Sequence, residues 1–307
     1  MRYPLVSSVE VQLSGPAAAQ ERIRPLLPRV RGARVPSRAV VELAVSEGDL
    51  HVAGAPLFQQ PGVSISVAAE GGLVATSDGA SALIRERRVE LRMLPAARRG
   101  SLQPVFDVSW PLLLPALGMF HVHGAAVRDP AGTGWLMAGD ANIGKSTTTL
   151  SLVRCGWSYA ADDAVYLSLA AGGEILAEGW EEPIRLTDRS ARALSVTRQV
   201  PDTELKSSAL LDEPLAGRRV DHFYLQRLLL PELGPVTKLI PVSAHDALAA
   251  LVRASAWIVC LPRLGNDYLR LLGKVASLPA ARLVLGPELL DDPAILAGAL
   301  LRLADAA

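Results

Sequence analysis

Residues Leu136 to Leu150 read LMAGDANIGKSTTTL, and this stretch decides the fold. Within it, Gly139 to Ser146 matches the P-loop pattern G-x-x-x-x-G-K-S, in which backbone amides surround phosphate oxygens. The apolar run Trp135 to Ala138 before the loop predicts a strand, and Ser146 to Cys155 after it predicts a helix. A strand, a glycine-containing loop and a helix in this order are the context that the motif needs. We therefore expect an anion-binding loop at the end of a buried strand.

The loop residues have the chemistry that phosphate binding requires. Gly139 and Gly144 let the backbone turn sharply and approach a ligand without a Cβ. Asn142 stands where many P-loops carry glycine, and asparagine is among the residues that best tolerate a left-handed conformation. Lys145 is expected to reach the β- and γ-phosphates of a nucleotide, and Ser146 to ligate Mg²⁺. We assign nucleotide binding to the loop as a whole: Gly139, Asp140, Ala141, Asn142, Ile143, Gly144, Lys145, Ser146 and Thr147.

Two adjacent carboxylates follow the predicted P-loop helix. Asp162 and Asp163 stand directly before the apolar run Ala164 to Leu169, which predicts a strand. Their charges repel each other, and a bound Mg²⁺ would relieve that repulsion. A turn or a helix cap is the more common use of such a pair, but its position after a P-loop favours metal binding and catalysis.

Three arginines further along the chain are candidates for contacts with a substrate. Arg185 could reach a phosphate, or it could only solvate the edge of a strand. Arg218 and Arg219 lie in a polar loop before the predicted strand Phe223 to Leu230. There they could contact a phosphate or an acidic substrate, but a solvated loop is the more common use of such arginines.

The composition indicates a folded protein of about two domains. The chain has 307 residues, of which 50% are hydrophobic and 20% charged, and its formal net charge is zero. This balance favours neither nucleic acid nor an anionic membrane as a partner. The densest apolar run, Pro111 to Phe120, is too short to span a bilayer, and the N-terminus has no apolar signal segment. Because Cys155 and Cys260 have no motif spacing, we expect a reducing, cytoplasmic location.

The hydrophobic pattern changes along the chain and predicts two domains. Residues 1–99 alternate apolar and polar positions, which predicts a small α+β domain with a mainly antiparallel sheet. The polar, basic stretch Pro95 to Gln103 indicates the connection between domains. Residues 104–307 would then form the P-loop domain, beginning with a helix over Val105 to Met119. The run Phe120 to Arg128 predicts a strand that forms a hairpin with the P-loop strand.

Residues His121 to Leu167 resemble the catalytic core of the HPr kinase/phosphorylase superfamily. The resemblance rests on His123-Gly124 before the P-loop, the loop itself, Gly156 after the following helix, and Asp162-Asp163 at the family's spacing. The segment Pro183-Ile184-Arg185-Leu186 and the separate β-rich N-terminal domain look closer to HPr-kinase-like proteins of ribosomal-peptide maturation clusters. Those proteins include the lasso-peptide precursor kinases.

The resemblance implies an α/β fold, with a C-terminal P-loop kinase domain of the HPr kinase and phosphoenolpyruvate carboxykinase type and a smaller N-terminal α+β domain. It implies transfer of the γ-phosphoryl group of ATP, with Mg²⁺, to a serine hydroxyl. Lys145 would hold the phosphates, while Ser146 and Asp163 would serve the metal. Asp162 would accept the serine proton, and His123 would sit against the catalytic aspartate and tune it.

The chain departs from bifunctional HPr kinases at two points. Thr147 stands where the residue after the P-loop serine is usually acidic, and the glycine-rich signature after the aspartate pair is absent. Both departures argue against HPr as the acceptor and against the reverse, phosphorylase reaction. We expect a serine in a peptide or small protein as acceptor, such as a ribosomal-peptide precursor, and an N-terminal domain that recognises it or mediates homo-oligomerisation. The alternatives are a kinase of free serine or another small molecule, a non-catalytic nucleotide-binding regulator, and a simple NTPase switch.

Overall fold

The computed structural model describes most of the chain, namely residues 2–28, 39–51, 54–69, 71–180, 184–201, 207–210, 213–261, 263–290 and 292–305. The contacts divide it into two units. Unit 1 comprises Met1–His121 and Ala256–Tyr268, and unit 2 comprises Val122–Ser255 and Leu269–Ala307. Each unit is built on its own β-sheet, so the chain is a mixed α/β protein.

Unit 1 contains a sheet of eight strands among the described residues. They are β1 (Arg2–Val6), β2 (Val9–Ser14), β3 (Ala39–Glu47), β4 (Pro56–Gln60), β5 (Val63–Val67), β6 (Leu73–Thr76), β7 (Ala80–Arg85) and β8 (Arg88–Met93). Their order is β1-β2-β3-β8-β7-β6-β5-β4. Only β3 pairs in parallel with its neighbours β2 and β8 among these strands, so the predicted mainly antiparallel sheet is confirmed.

In its first stretch, the described part of unit 1 contains the helices α1 (Ala17–Ile23) and α2 (Arg99–Leu113). The expected connection over Pro95 to Gln103 was wrong from Arg99 onward, because those residues form the first turns of α2. Leu102, Phe106 and Trp110 of this helix are buried, and α2 packs on β6, β7 and β8. Packing of this apolar face therefore decides where the helix begins. The two units change over at His121 and Val122, further along the chain than expected.

Unit 2 has a large sheet and a small one. Its strands are β9 (Phe120–Arg128), β10 (Gly134–Ala138), β11 (Ser158–Ala161), β12 (Ala164–Leu169), β13 (Ile175–Gly179), β14 (Arg185–Leu186), β15 (Thr197–Pro201), β16 (Ser207–Leu210), β17 (His222–Leu225), β18 (Arg227–Leu233), β19 (Lys238–Pro241) and β20 (Ala280–Leu285). The large sheet has the order β17-β13-β12-β9-β10-β18-β20-β19, with β11 paired to β9, and the small sheet has the order β14-β16-β15. The turn that we expected at residues 181–183 lies outside the described residues.

The remaining helices are α3 (Lys145–Arg154), α4 (Asp188–Ala193), α5 (Glu213–Ala216), α6 (Ala244–Arg253), α7 (Gly265–Ala276) and α8 (Pro293–Asp305). The strand and the helix predicted on either side of the P-loop are confirmed by β10 and α3, each within one residue of the expected bounds. The hairpin of β9 and β10 is also confirmed. Among the described residues, no helix combines the length and the hydrophobicity needed to cross a membrane.

The sheet of unit 2 positions the P-loop. Strand β10 is buried along its whole length and lies between β9, which runs antiparallel to it, and β18, which runs parallel. Strand β20 is parallel to β18, so the carboxyl ends of β10, β18 and β20 lie at one edge of the sheet. In open α/β sheets this edge is where ligands bind. Trp135 and Trp157 lie in the core beneath, with their rings 5.9 Å apart and no exposed surface.

Candidate active site

The P-loop backbone has the conformations that the sequence predicted for it. Asn142 has a φ of 65° and Gly144 a φ of 96°, both in the left-handed region. A Cβ on Gly144 would lie 2.9 Å from Cδ1 of Leu285, so the end of that leucine side chain would have to move to admit it. Helix α3 begins directly after Gly144, and its first amides therefore point into the loop.

Lys145 occupies the centre of the loop. Its Nζ donates hydrogen bonds to the carbonyl oxygens of Gly139 at 2.8 Å and Asp140 at 2.7 Å. It also lies 2.9 Å from Nε2 of His123, and only 5% of the lysine is exposed. Because an ammonium group can only donate, Nε2 of His123 accepts this bond.

His123 joins the lysine to one of the two acids. Its Nδ1 lies 3.1 Å from Oδ1 of Asp163, so the proton on Nδ1 is donated to that carboxylate. The backbone holds the pair in place, because the amide of Gly124, next to His123, donates to the carbonyl oxygen of Asp163 at 3.0 Å. The result is a chain of contacts from Lys145 through His123 to Asp163. The structure thus pairs His123 with Asp163 and not with Asp162, the residue that we expected to be catalytic.

Asp162 has a different environment from Asp163. It is only 8% exposed, whereas about half of the Asp163 side chain (49%) is exposed. Burial raises the pKa of Asp162 from 3.8 to about 6, and the charge of Asp163 adds to this rise. The hydroxyls of Ser146 and Thr149 lower the same pKa, and the positive charge of Lys145 also lowers it. The sequence presents two equivalent acids, and the fold separates them into a buried one and an exposed one.

A cleft of about 840 Å³ opens beside the P-loop, a volume within the range of ligand sites. It is lined by three segments of unit 2. The first contains the P-loop and α3 with His123 and Asp163, and the second contains residues 185–192. The third is apolar and lies after β18 and β20, where the side chains of Leu233, Pro287, Leu289 and Leu296 line the cleft.

Most of the predicted site residues meet in this cleft. His123, Ala141, Asn142, Gly144, Lys145, Ser146, Thr147, Asp163 and Arg185 line it. Gly139, Asp140, Ile143 and Asp162 do not line it, although Gly139 and Asp140 contact Lys145 through their carbonyl groups.

The structure does not bring Arg218 and Arg219 into the cleft. Arg218 donates from Nη1 to the carbonyl oxygen of Gly156 at 3.1 Å. Arg219 is buried, with its guanidinium 3.6 Å from the carboxylate of Asp221. Both side chains therefore have structural partners within unit 2.

Apart from Arg185, the sequence analysis did not identify the second segment that lines the cleft, residues 185–192. Thr187, Asp188, Arg189, Ser190 and Arg192 all line the cleft, on or beside α4. The residue pattern favours a helix only weakly and over Ser190 to Val200, whereas α4 begins at Asp188 and the strand β15 follows at Thr197. The sequence feature that could have identified this helix is Thr187, a residue type that favours the N-cap position. Its side chain caps α4 by accepting a hydrogen bond from the amide of Ser190 at 3.2 Å.

Magnesium requires oxygen ligands, and the residues beside the loop could supply them. In the described part of the chain, no three His, Cys, Asp or Glu side chains form a group that could hold a metal ion. Mg²⁺ in nucleotide sites does not need such a group, since it takes one or two carboxylates together with phosphates and water. No group in the described part of the chain forms a hydrogen bond with the buried Oδ1 of Asp162, and the Ser146 hydroxyl lies beside this carboxyl group. These two residues fit a magnesium ion shared with a nucleotide.

Comparison with known proteins gives only a distant likeness. No protein-family model and no curated protein matches the chain. Among solved structures, the chain is similar to the Hpr(Ser) kinase/phosphatase from Coxiella burnetii, at 13% sequence identity and a TM-score of 0.31. The match covers 61% of this chain and 99% of that chain. Values this low do not show membership of the HPr kinase/phosphorylase superfamily, so that resemblance stays a prediction.

Proposed function

We propose that this protein is an ATP- and Mg²⁺-dependent kinase that transfers the γ-phosphoryl group to a serine hydroxyl of a peptide or small protein. The observation that supports this function is the chain of contacts from Lys145 through His123 to Asp163, in the same cleft as the P-loop amides. It unites donors for phosphate oxygens with a carboxylate that can accept a proton.

Lys145 and the loop amides bind the phosphates in this proposal. The ammonium group contacts the carbonyl oxygens of Gly139 and Asp140. In P-loop proteins the lysine at this position of the motif reaches the β- and γ-phosphates. Phosphoryl transfer depends mainly on positioning and on electrostatic stabilisation, which these donors supply.

Asp163 accepts the proton of the serine hydroxyl. Its carboxylate is half exposed and faces the cleft, so an acceptor can approach it. His123 donates to this carboxylate from Nδ1 and thereby fixes its orientation. This assignment reverses the preference drawn from the sequence, which gave the proton to Asp162 and the metal to Asp163.

Asp162 and Ser146 would hold the magnesium ion in this proposal. When bound, the ion neutralises charge on the phosphate oxygens. A buried carboxylate is suited to this role because the ion lowers its pKa and balances its charge. It is poorly suited to meet a bulky acceptor, since Asp162 does not line the cleft.

The test is a transfer assay with γ-labelled ATP, using serine peptides and free serine as acceptors. Lys145→Ala should abolish transfer and weaken nucleotide binding. Asp163→Asn should lower kcat by about 10²- to 10⁴-fold, as loss of a general base does, and leave nucleotide affinity unchanged. Asp162→Asn should weaken the Mg²⁺-dependent part of nucleotide binding. Exposed Lys238 and Asp49 give matched controls, Lys238→Ala and Asp49→Asn, which should behave as wild type.

Two results would contradict the assignment. Transfer that persists in Lys145→Ala would exclude the P-loop as the phosphate site. Full activity in Asp163→Asn, with Asp162→Asn inactive and normal in nucleotide binding, would return the proton-accepting role to Asp162. Hydrolysis of ATP without transfer to any acceptor would instead identify an NTPase.

A further inference from the structure

One wall of the cleft is basic. Arg185, Arg189 and Arg192 all line it with exposed side chains, and Asp188 is the acidic residue of the same segment. We call these three arginines the basic wall. The whole chain has equal numbers of basic and acidic residues, 31 of each, so the excess of positive charge on this wall is a local feature. A cleft lined by one sign of charge concentrates ligands of the opposite sign.

The fold holds the basic wall in a defined position beside the P-loop. Arg189 and Arg192 are three residues apart on α4 and therefore share a face of the helix. The other face is fixed by Ala191, which is buried in the core of unit 2. Helix α4 is also tied to α3, because Oγ1 of Thr147 donates to Oγ of Ser190 at 2.9 Å.

The side chains of Arg189 and Arg192 have no ion pair or hydrogen bond within the described ranges of the chain. Other arginines do have such partners: half-buried Arg22 pairs with Glu47 at 2.7 Å, and exposed Arg88 pairs with Glu42 at 2.6 Å. Two like charges on one helix face repel each other, and an anion placed between them would relieve the repulsion.

The nucleotide does not account for these arginines. The P-loop amides and Lys145 already provide the donors for its phosphates. The acceptor, in contrast, must enter the same cleft to bring its hydroxyl to Asp163, so the residues that flank this hydroxyl can reach the basic wall. A guanidinium group binds carboxylates with two parallel hydrogen bonds, which makes it selective for acidic side chains.

We propose that the basic wall selects acceptor peptides that carry aspartate or glutamate close to the phosphorylated hydroxyl. This specificity rests on the kinase function proposed above. Arg189 and Arg192 contact the acidic side chains of the acceptor, and the transferred phosphoryl group stays with Lys145 and the loop.

The experiment compares three peptides of equal length, each with one serine, flanked by acidic, neutral or basic residues. Transfer from γ-labelled ATP is measured for wild type and for the double variant Arg189→Ala/Arg192→Ala. In parallel, the binding of a fluorescent acidic peptide is measured by anisotropy with a non-hydrolysable ATP analogue. Arg253→Ala is the matched control, because Arg253 is exposed on α6 outside the cleft.

Wild type should have its lowest KM for the acidic peptide. The double variant should raise this KM about tenfold, because each exposed charge pair contributes up to a few-fold in affinity. Its kcat and its KM for ATP should stay close to wild type, and the preference should weaken as salt is added. Arg253→Ala should leave all these values unchanged.

Other outcomes would contradict either the proposed acceptor specificity or the proposed kinase function, and the two can be told apart. Equal transfer to all three peptides would remove the specificity and leave the kinase intact. A lower kcat with an unchanged KM would show that the arginines act on the transferred phosphoryl group. Binding of the acidic peptide that depends on the arginines, without any transfer, would support the basic wall and contradict the kinase function. If neither binding nor transfer is observed, the acceptor specificity and the kinase function are both contradicted.

Discussion

Asp162 and Asp163 show how position within a fold separates two identical side chains. Asp162 is buried beside hydroxyl groups of α3, and Asp163 is half exposed against His123. Burial of a carboxyl group disfavours its charged form, so the protein keeps Asp162 charged at neutral pH only at a cost in stability. A magnesium ion would remove this cost, which links metal binding to the stability of unit 2.

The raised pKa of Asp162 predicts how stability depends on pH. The folded pKa of about 6 lies above the unfolded 3.8, so the folded state binds more protons between these values. Stability should therefore fall by about 3 kcal/mol as the pH rises from below 4 to above 6. About 2 kcal/mol of this loss falls between pH 4.5 and 7.5, and Asp162→Asn should lack it. Urea unfolding of both proteins at these two pH values, without added metal, will measure the difference. If the free energy of unfolding changes equally with pH in wild type and in Asp162→Asn, then Asp162 is already ionised at pH 4.5 in the folded protein.

The left-handed conformation of Asn142 predicts a second residue-scale effect. Asn142→Ala should lower the free energy of unfolding by about 1 kcal/mol, because alanine is disfavoured at positive φ, whereas Asn142→Gly should change it little. Asn266, exposed on helix α7, provides the control, since Asn266→Ala should be neutral or slightly stabilising. Urea unfolding checks all three variants. An unchanged stability in Asn142→Ala would mean that the loop relaxes to another backbone conformation.

At the scale of elements, the contact between α3 and α4 connects the phosphate loop with the basic wall. Ser190 accepts hydrogen bonds from Thr147 at 2.9 Å and from Thr187 at 3.1 Å. Thr187 also caps α4, so the residue that fixes the start of the helix also contacts Ser190, which links the helix to α3. A six-residue helix has little stability of its own and depends on such contacts.

Removal of the cap should therefore change both stability and acceptor binding. Thr187→Ala should cost about 1 kcal/mol of stability, as loss of an N-cap does, and should raise KM for an acidic acceptor peptide. Ser243 caps α6 in the same way, with its Oγ accepting from the amide of Asp246 at 3.2 Å. Ser243→Ala should thus lose similar stability without any change in KM. Thermal unfolding and steady-state kinetics measure both, and equal effects of the two variants on KM would contradict this role of α4.

At the scale of the molecule, each unit is assembled from two separate stretches of the chain. Unit 1 needs α2, whose buried Phe106 and Trp110 pack with their rings 5.2 Å apart. It also takes residues from a later stretch, where Trp257 contacts Phe58 and Tyr268 stacks on Phe120. The predicted roles of the N-terminal domain, in substrate recognition or homo-oligomerisation, stay predictions.

This assembly predicts how fragments will behave. A fragment of residues 1–99 lacks α2 and exposes the apolar face that this helix covers, so it should show no cooperative unfolding transition. A fragment of residues 1–121 should unfold cooperatively, because it retains the sheet together with α2. Far-ultraviolet circular dichroism in urea compares the two. Cooperative unfolding of the shorter fragment would show that the sheet is stable without the helix.

The parts of the fold that follow from local pattern could be predicted from the sequence. Alternation of apolar and polar residues is clear at β2, β3, β5, β6 and β8, and the capping residue Ser243 is a local signal for the start of α6. The alternation is not clear at β1, β4 and β7, and the residue pattern over 204–211 favours a helix weakly, although β16 lies there. These strands have weak local patterns and are stabilised by their neighbours in the sheets.

The sequence by itself determined the strand, loop and helix of the P-loop, because glycine, asparagine and lysine at fixed spacing specify backbone conformation and charge within eight residues. It also placed two acids near that loop. Only the tertiary structure decided that Asp163 faces His123, that Arg219 pairs with Asp221, and that α4 lines the cleft. Burial and long-range contact create these differences, and chemically identical side chains carry no sign of them in the sequence.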